Sequence, residues 1–142
     1  MVNFRELWES VITDLKNHSV FLEVDDTKIL KGDPAKFDPV NPPSIYVYCL
    51  PGSTELPETE WGVMAKAVIT VFCSVAPAID GAEALNLAME LAGRVLTVLK
   101  DSKPLSQSET FEPEFVNSTQ DYTTVALPFT AFYDPYIEEV QD

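Results

Sequence analysis

Six apolar residues near the start of the chain, Phe4, Leu7, Trp8, Val11, Ile12 and Leu15, fall at i, i+3, i+4, i+7, i+8 and i+11, so one side of a helix carries them all. Asn3 stands at the capping position with Glu6 three residues on, and Arg5, Glu9, Asp14 and Lys16 fill the opposite side. This predicts an amphipathic helix ending near Asn17 or His18. Val20 to Val24 reads as a short strand or a packed loop. The segment Asp25–Pro43 holds Gly32, Pro34, Pro39, Pro42 and Pro43 among four aspartates, which excludes a long regular element and delivers the chain extended into whatever follows.

From Ile45 to Leu50 both parities are apolar or aromatic, the pattern of a strand buried on both faces. After Pro51-Gly52-Ser53 a second, long strand is predicted from Trp61 to Ser74, with Val63, Ala65, Ala67, Ile69, Val71 and Cys73 on one continuous apolar side. The two strands read as an antiparallel hairpin whose acidic connection contains Glu55, Glu58 and Glu60. Asp80 and Glu83 open a second helix running to about Lys100, roughly 30 Å long. Its apolar positions, from Ala84 to Leu99, spread over a wide arc, which calls for cover from the sheet and also from the first helix or another subunit. Thr110 to Val116 reads as an edge strand weakened by Pro113, and Tyr122 to Tyr133 as the final strand, where Pro128 calls for an edge or a bulge. The sum is an α+β fold: an antiparallel or mixed sheet of about four strands with two main helices on it, in the order α-β-β-α-β-β. Residues 1–142 form one domain with a short acidic tail from Asp134 to Asp142.

Charge narrows the function. Nine basic against 23 acidic residues give a formal charge of −14, the wrong sign for gripping phosphates or anionic membranes. Such acidity keeps a protein soluble, favours basic partners, or lines a passage to which DNA must not adhere. The first residues lack the basic start and apolar run of a secretory signal, and no stretch approaches the roughly 20 apolar residues of a membrane span, so the expectation is a soluble intracellular protein.

Catalytic chemistry is not legible. The single histidine, His18, sits at the C-terminal end of the first helix, where the dipole suits a surface imidazolium, and no Ser or Cys nucleophile motif accompanies it. Cys49 and Cys73 each lie inside an apolar run and read as buried thiols, on strands that can be neighbours. Asp25, Asp26, Asp33 and Asp38 do not match an EF-hand loop and read as a solvated acidic segment, and Glu112 with Glu114 lacks any accompanying sugar cleft. No cofactor or metal site is expected, and no enzyme. The candidate contacts are Glu55, Glu58, Glu60 and Trp61 on the hairpin connection, and Tyr133 and Tyr136 where the last strand ends; Trp61 either anchors the loop or meets a partner.

In its order of elements, with Pro43-Ser44-Ile45-Tyr46-Val47-Tyr48 after the proline-rich loop and Phe132-Tyr133-Asp134 closing the last strand, almost the whole chain resembles the tail terminator and tail-completion proteins of long-tailed phages and prophages, with related head–tail connector proteins. The Asp25–Pro43 segment is longer than that pattern calls for. The resemblance implies a homo-oligomeric ring, usually a hexamer, that caps the tail tube and joins it to head-completion proteins, with DNA passing through an acidic bore without specific binding. It implies a virion protein of the tail, made in the host cytoplasm, with no catalytic residues.

Two other readings stay open. A small-molecule or peptide-binding domain would use a pocket lined by Tyr46, Tyr48, Trp61 and Phe72. An acidic adaptor or inhibitor would set its carboxylates against a basic protein, in a complex that weakens with salt.

Overall fold

The computed structural model describes residues 2–32, 42–52, 58–59, 62–63, 65–76, 81–100, 114–118 and 122–136. The first helix, α1, spans Phe4–Asn17, and the Asn3 side chain accepts the Glu6 N–H at 2.9 Å, as the capping pattern requires. Leu7, Val11 and Leu15 are fully buried, while Phe4, Trp8 and Ile12 pack along the margin of the core. On the far side Arg5 pairs with Glu9 one turn on, at 3.1 Å.

The Val20–Val24 segment is neither strand nor loop. A four-residue helix, α2, occupies Ser19–Leu22, and Glu23 closes it in the left-handed conformation at φ 57°. The Leu22 N–H bonds to His18 O (2.9 Å) and the Val24 N–H to Ser19 O (3.2 Å), so one helical turn satisfies backbone groups for which a strand would need a neighbour. Next, Asp25 Oδ1 accepts the Thr27 N–H (2.9 Å) and hydroxyl (2.7 Å) at the start of a 3-10 turn over Asp26–Lys28. Those bonds, the hydroxyl first, hold the Asp25 carboxyl below its ordinary value.

Strand β1 (Ile29–Lys31) follows, then β2 (Ser44–Pro51), a small ribbon of β3 (Glu58–Thr59) and β4 (Gly62–Val63), β5 (Ala65–Val75), helix α3 (Gly81–Leu99), β6 (Glu114–Ser118) and β7 (Thr123–Tyr133). The main sheet has the order β1-β2-β5-β7-β6, antiparallel throughout except that β1 runs parallel to β2. The α+β architecture matches the sequence expectation, with one strand more than expected in the main sheet. That strand is the three-residue β1, which pairs Ile29 with Ile45.

The long strand expected from Trp61 is interrupted. Gly62 and Val63 pair with Thr59 and Glu58 in the separate ribbon, and the main sheet resumes at Ala65. The β2–β5 ladder ends at Pro51 opposite Ala67, where the Gly52 N–H reaches Lys66 O at 2.7 Å. A side chain at Gly52 would place its Cβ 3.0 Å from that same oxygen, so the close approach asks for glycine. β7 also departs from expectation: it lies inside the sheet, between β5 and β6. Pro128 pairs with Thr70 of β5 and stands two residues beyond Ala126, the last β7 residue in the described β6 ladder. The irregularity sits in β6, between Phe115 and Asn117.

Strand parity sorts the sheet. Ile45, Val47, Cys49, Ile69, Val71, Val125 and Leu127 share one face and form the core with α1 and α3. α1 packs over β1 and β2, α3 packs over β5 and β7, and the two helices touch. The other face carries Tyr46, Tyr48, Val68, Phe72 and Phe132.

A polar row, Ser44, Ser74 and Thr124, crosses three strands on that second face, all three buried. Ser74 and Thr124 share a hydrogen bond of 2.8 Å, whereas the Ser44 hydroxyl has no partner among the described residues. Ser44→Ala is therefore expected to leave stability unchanged or raise it by about 1 kcal/mol, while Ser74→Ala, which orphans Thr124, lowers it by about 1–3 kcal/mol. Urea midpoints check both; equal losses would contradict the assignment of the bond.

Candidate functional site

The sheet gives the molecule two unlike ends. At one, β2 and β7 finish, β5 begins and α1 starts. The Asp134 N–H bonds to Val2 O at 2.8 Å, which fastens the end of β7 to the start of α1. Tyr133 packs edge-on against Phe4 at 5.1 Å, Phe4 against Trp8 at 6.1 Å, and Trp8 against Tyr48 at 6.1 Å. The Lys31 ammonium lies 4.5 Å from the centre of the Trp8 ring.

Of the residues nominated from sequence, Tyr133 is thus an internal packing residue in the first place. Tyr136, 65% exposed with its N–H on Asp134 Oδ1, is open to a partner. Glu58 lies in β3, in the connection that leaves the sheet at this same end. Glu55, Glu60 and Trp61 lie outside the described residues, as do Asp33, Asp38 and Glu112. Among the described residues, Glu58 and Tyr136 thus belong to segments that leave the sheet at the same end. Tyr46 and Phe72 stand opposite each other on the face turned away from the helices, and Tyr48 opposite Thr70.

The opposite end holds a feature not read from the sequence. A cleft of about 270 Å³ opens between α2, α3, the start of β2 and the end of β5, with Leu22, Pro43, Val75, Ala76, Leu87 and Leu91 as its apolar wall. Glu23, Glu90 and Arg94 form its polar part. Arg94 donates to Phe21 O at 2.9 Å and pairs with Glu23 at 3.2 Å, bracing α2 against α3. On α2, Val20 is 91% exposed and Phe21 47%, with the Arg94 guanidinium 6.0 Å from the Phe21 ring. One signal was present in the sequence: Glu83, Leu87, Glu90 and Arg94 recur at i, i+4, i+7 and i+11 and form a single stripe.

A third surface lies on α3. At 100° per residue, Leu85 and Met89 point about half a turn away from the Arg94 stripe and are 39% and 42% exposed. Gly93 continues that flank, with nothing within 4 Å of where a Cβ would lie.

The remaining chemistry-bearing residues are placed structurally. His18 donates from Nδ1 to Asp14 O at 2.9 Å, on the surface at the end of α1. Cys49 and Cys73 do lie on neighbouring strands and on the same face, but Cys49 faces Ile69 and Cys73 faces Ile45. Four residues of offset separate them by about 13 Å along the strands, too far for a disulfide. Among the described residues no three His, Cys, Asp or Glu side chains gather into a metal-binding group, and no helix is long and apolar enough to cross a membrane.

No protein-family profile matches the chain, and no curated protein does. Among solved structures, it is similar to the gp17 protein of bacteriophage SPP1, at 21% identity and a TM-score of 0.35, over 89% of this chain and 88% of that one.

Proposed function

We propose that the chain is a structural, non-enzymatic part of phage or prophage virion assembly: a tail terminator or tail-completion ring that caps the tail tube and mediates head–tail joining. The sequence resemblance supports the class. The observation that carries the reading is the apolar flank of α3, where Leu85 and Met89 stand 39% and 42% exposed although the helix already packs on the sheet, α1 and α2. The wide apolar arc in the sequence called for cover from the first helix or another subunit; α1 meets α3, and a neighbouring copy in a ring covers the flank that α1 leaves open. Rings of identical subunits close by pairing two unlike patches, which the unlike flanks and ends of this domain offer. With a formal charge of −14, the bore repels the DNA that passes through it.

Light scattering after size exclusion over a concentration series, with negative-stain imaging, tests the reading. Rings, six-membered in the family pattern, are expected. The double variant Leu85→Asp, Met89→Asp should keep its circular dichroism and dissociate at least about 100-fold more readily, since each buried side chain contributes about 1.5–3 kcal/mol. A strictly monomeric parent protein that also fails to join tail tubes would sink the proposal.

A further inference from the structure

We infer that the cleft between α2 and α3 is a docking site for an apolar side chain borne on a basic segment of an assembly partner, a deepening that rests on the assembly reading above. Size is the first argument. At about 270 Å³ the cleft falls just below the range of sites for cofactors and drug-sized ligands and suits one or two apolar side chains. Its wall is made of Leu22, Val75, Leu87 and Leu91, and the Phe21 ring lies 6.0 Å from the guanidinium of Arg94, which lines it.

Charge selects the rest of the occupant. Arg94, the cation lining the cleft, is already engaged by Glu23 at 3.2 Å and by Phe21 O at 2.9 Å, so it has little left to offer an anion. Glu90 stands at the rim, and Glu83 precedes it on the same stripe of α3, so the cleft's surroundings are negative. The field of a chain at −14 points the same way. An anchor flanked by Lys or Arg is drawn in, and one flanked by carboxylates is repelled. A second copy of this acidic chain is the poorer match for that field. Heterologous contacts between copies are served by α3's other flank, so the two surfaces have separate tasks: one lateral, one for a different protein.

The test is a titration of the full-length, ¹⁵N-labelled chain with three capped tripeptides, Lys-Phe-Lys, Glu-Phe-Glu and Lys-Gly-Lys, at low salt. Lys-Phe-Lys should shift the amides of Phe21, Leu22, Leu87, Leu91 and Arg94 saturably, Glu-Phe-Glu should bind about tenfold more weakly or worse, and Lys-Gly-Lys should leave those amides in place. Leu87→Asp, at a residue exposed enough for the change to spare the fold, should abolish the shifts. Failure of Lys-Phe-Lys to move these amides, or equal shifts with Glu-Phe-Glu, overturns the inference. So do shifts at the same amides on raising protein concentration without peptide, since the occupant would then be a second copy. Light scattering on the same samples separates the two levels. Rings without peptide binding sink the cleft assignment alone, and peptide binding by a strict monomer sinks the ring.

Discussion

Trp8→Ala should lower stability by about 3–5 kcal/mol, read as a fall in the urea midpoint. Trp8 joins three parts of the fold. Its indole N–H donates to Val47 O at 2.8 Å, the carbonyl that also receives the Gly32 N–H at 3.0 Å. Both lone pairs of one oxygen are thus committed, one to α1 and one to the end of β1. Gly32 makes its bond at φ 146°, a conformation open to glycine, and the Trp8 bond lies beside it. The ring meets Phe4 and Tyr48 edge-on and carries Lys31 over its face. Removing it leaves a cavity beneath α1, breaks the aromatic sequence from Tyr133 to Tyr48, and frees the short parallel strand at the sheet margin.

The conservative change divides those effects. Trp8→Phe keeps most of the packing but loses the N–H and the stronger cation–π surface, for an expected loss of about 1–2 kcal/mol. Amide exchange at Lys31 and Gly32 should quicken in both variants, since β1 is held by few bonds besides those at Val47. An alanine variant within about 1 kcal/mol of the parent would mean that α1 is fastened by Leu7, Val11 and Leu15 alone.

The parts of this fold that could be read in the sequence are those in which one period runs long enough to dominate. α1 shows its 3.6-residue period over four turns with a capping side chain in place, the Ile45–Leu50 run that is apolar at both parities is buried at both parities as far as Val47, and the parity of Ala65–Cys73 sorts the faces of β5. What was missed depends on partners distant in sequence. β1 is three residues inside a proline-rich segment and becomes a strand only because Ile45 is there to pair with Ile29. α2 is one turn, too short for a period to appear, and is held by Arg94 of α3, more than seventy residues further along the chain. Pro128 called for an edge or a bulge because sequence alone does not reveal that β7 has β5 on one side and β6 on the other. The cleft fails to appear for the same reason: Leu22, Pro43, Val75 and Leu87 come from four separate stretches and meet only in the folded chain. Tyr133 reads as a contact because it ends a strand, and it meets Phe4 because Asp134 and Val2 are bonded side by side.

Burial makes the two thiols an alkaline weak point. Desolvation pushes both Cys49 and Cys73 from the ordinary 9.0 up to about 12, with Lys31 pulling Cys49 slightly back. The folded state therefore holds these protons more tightly than the unfolded chain. Their contribution to stability is fully present below pH 9 and is lost as pH rises toward the folded value near 12. Within that window each thiol costs about 1.4 kcal/mol per pH unit, so about 4 kcal/mol is gone by pH 10.5 with both counted, a large share of a typical domain's stability. Urea unfolding of the parent at pH 8 and at pH 10.5, beside a Cys49→Ala, Cys73→Ala variant, isolates the effect of the thiols from everything the two proteins share. The variant starts lower, because each truncation leaves a small void, but its pH dependence should be shallower by about that 4 kcal/mol. Parallel profiles for the two proteins would show that the thiols ionise in place without cost, and that the helix-facing side of β2 and β5 admits water.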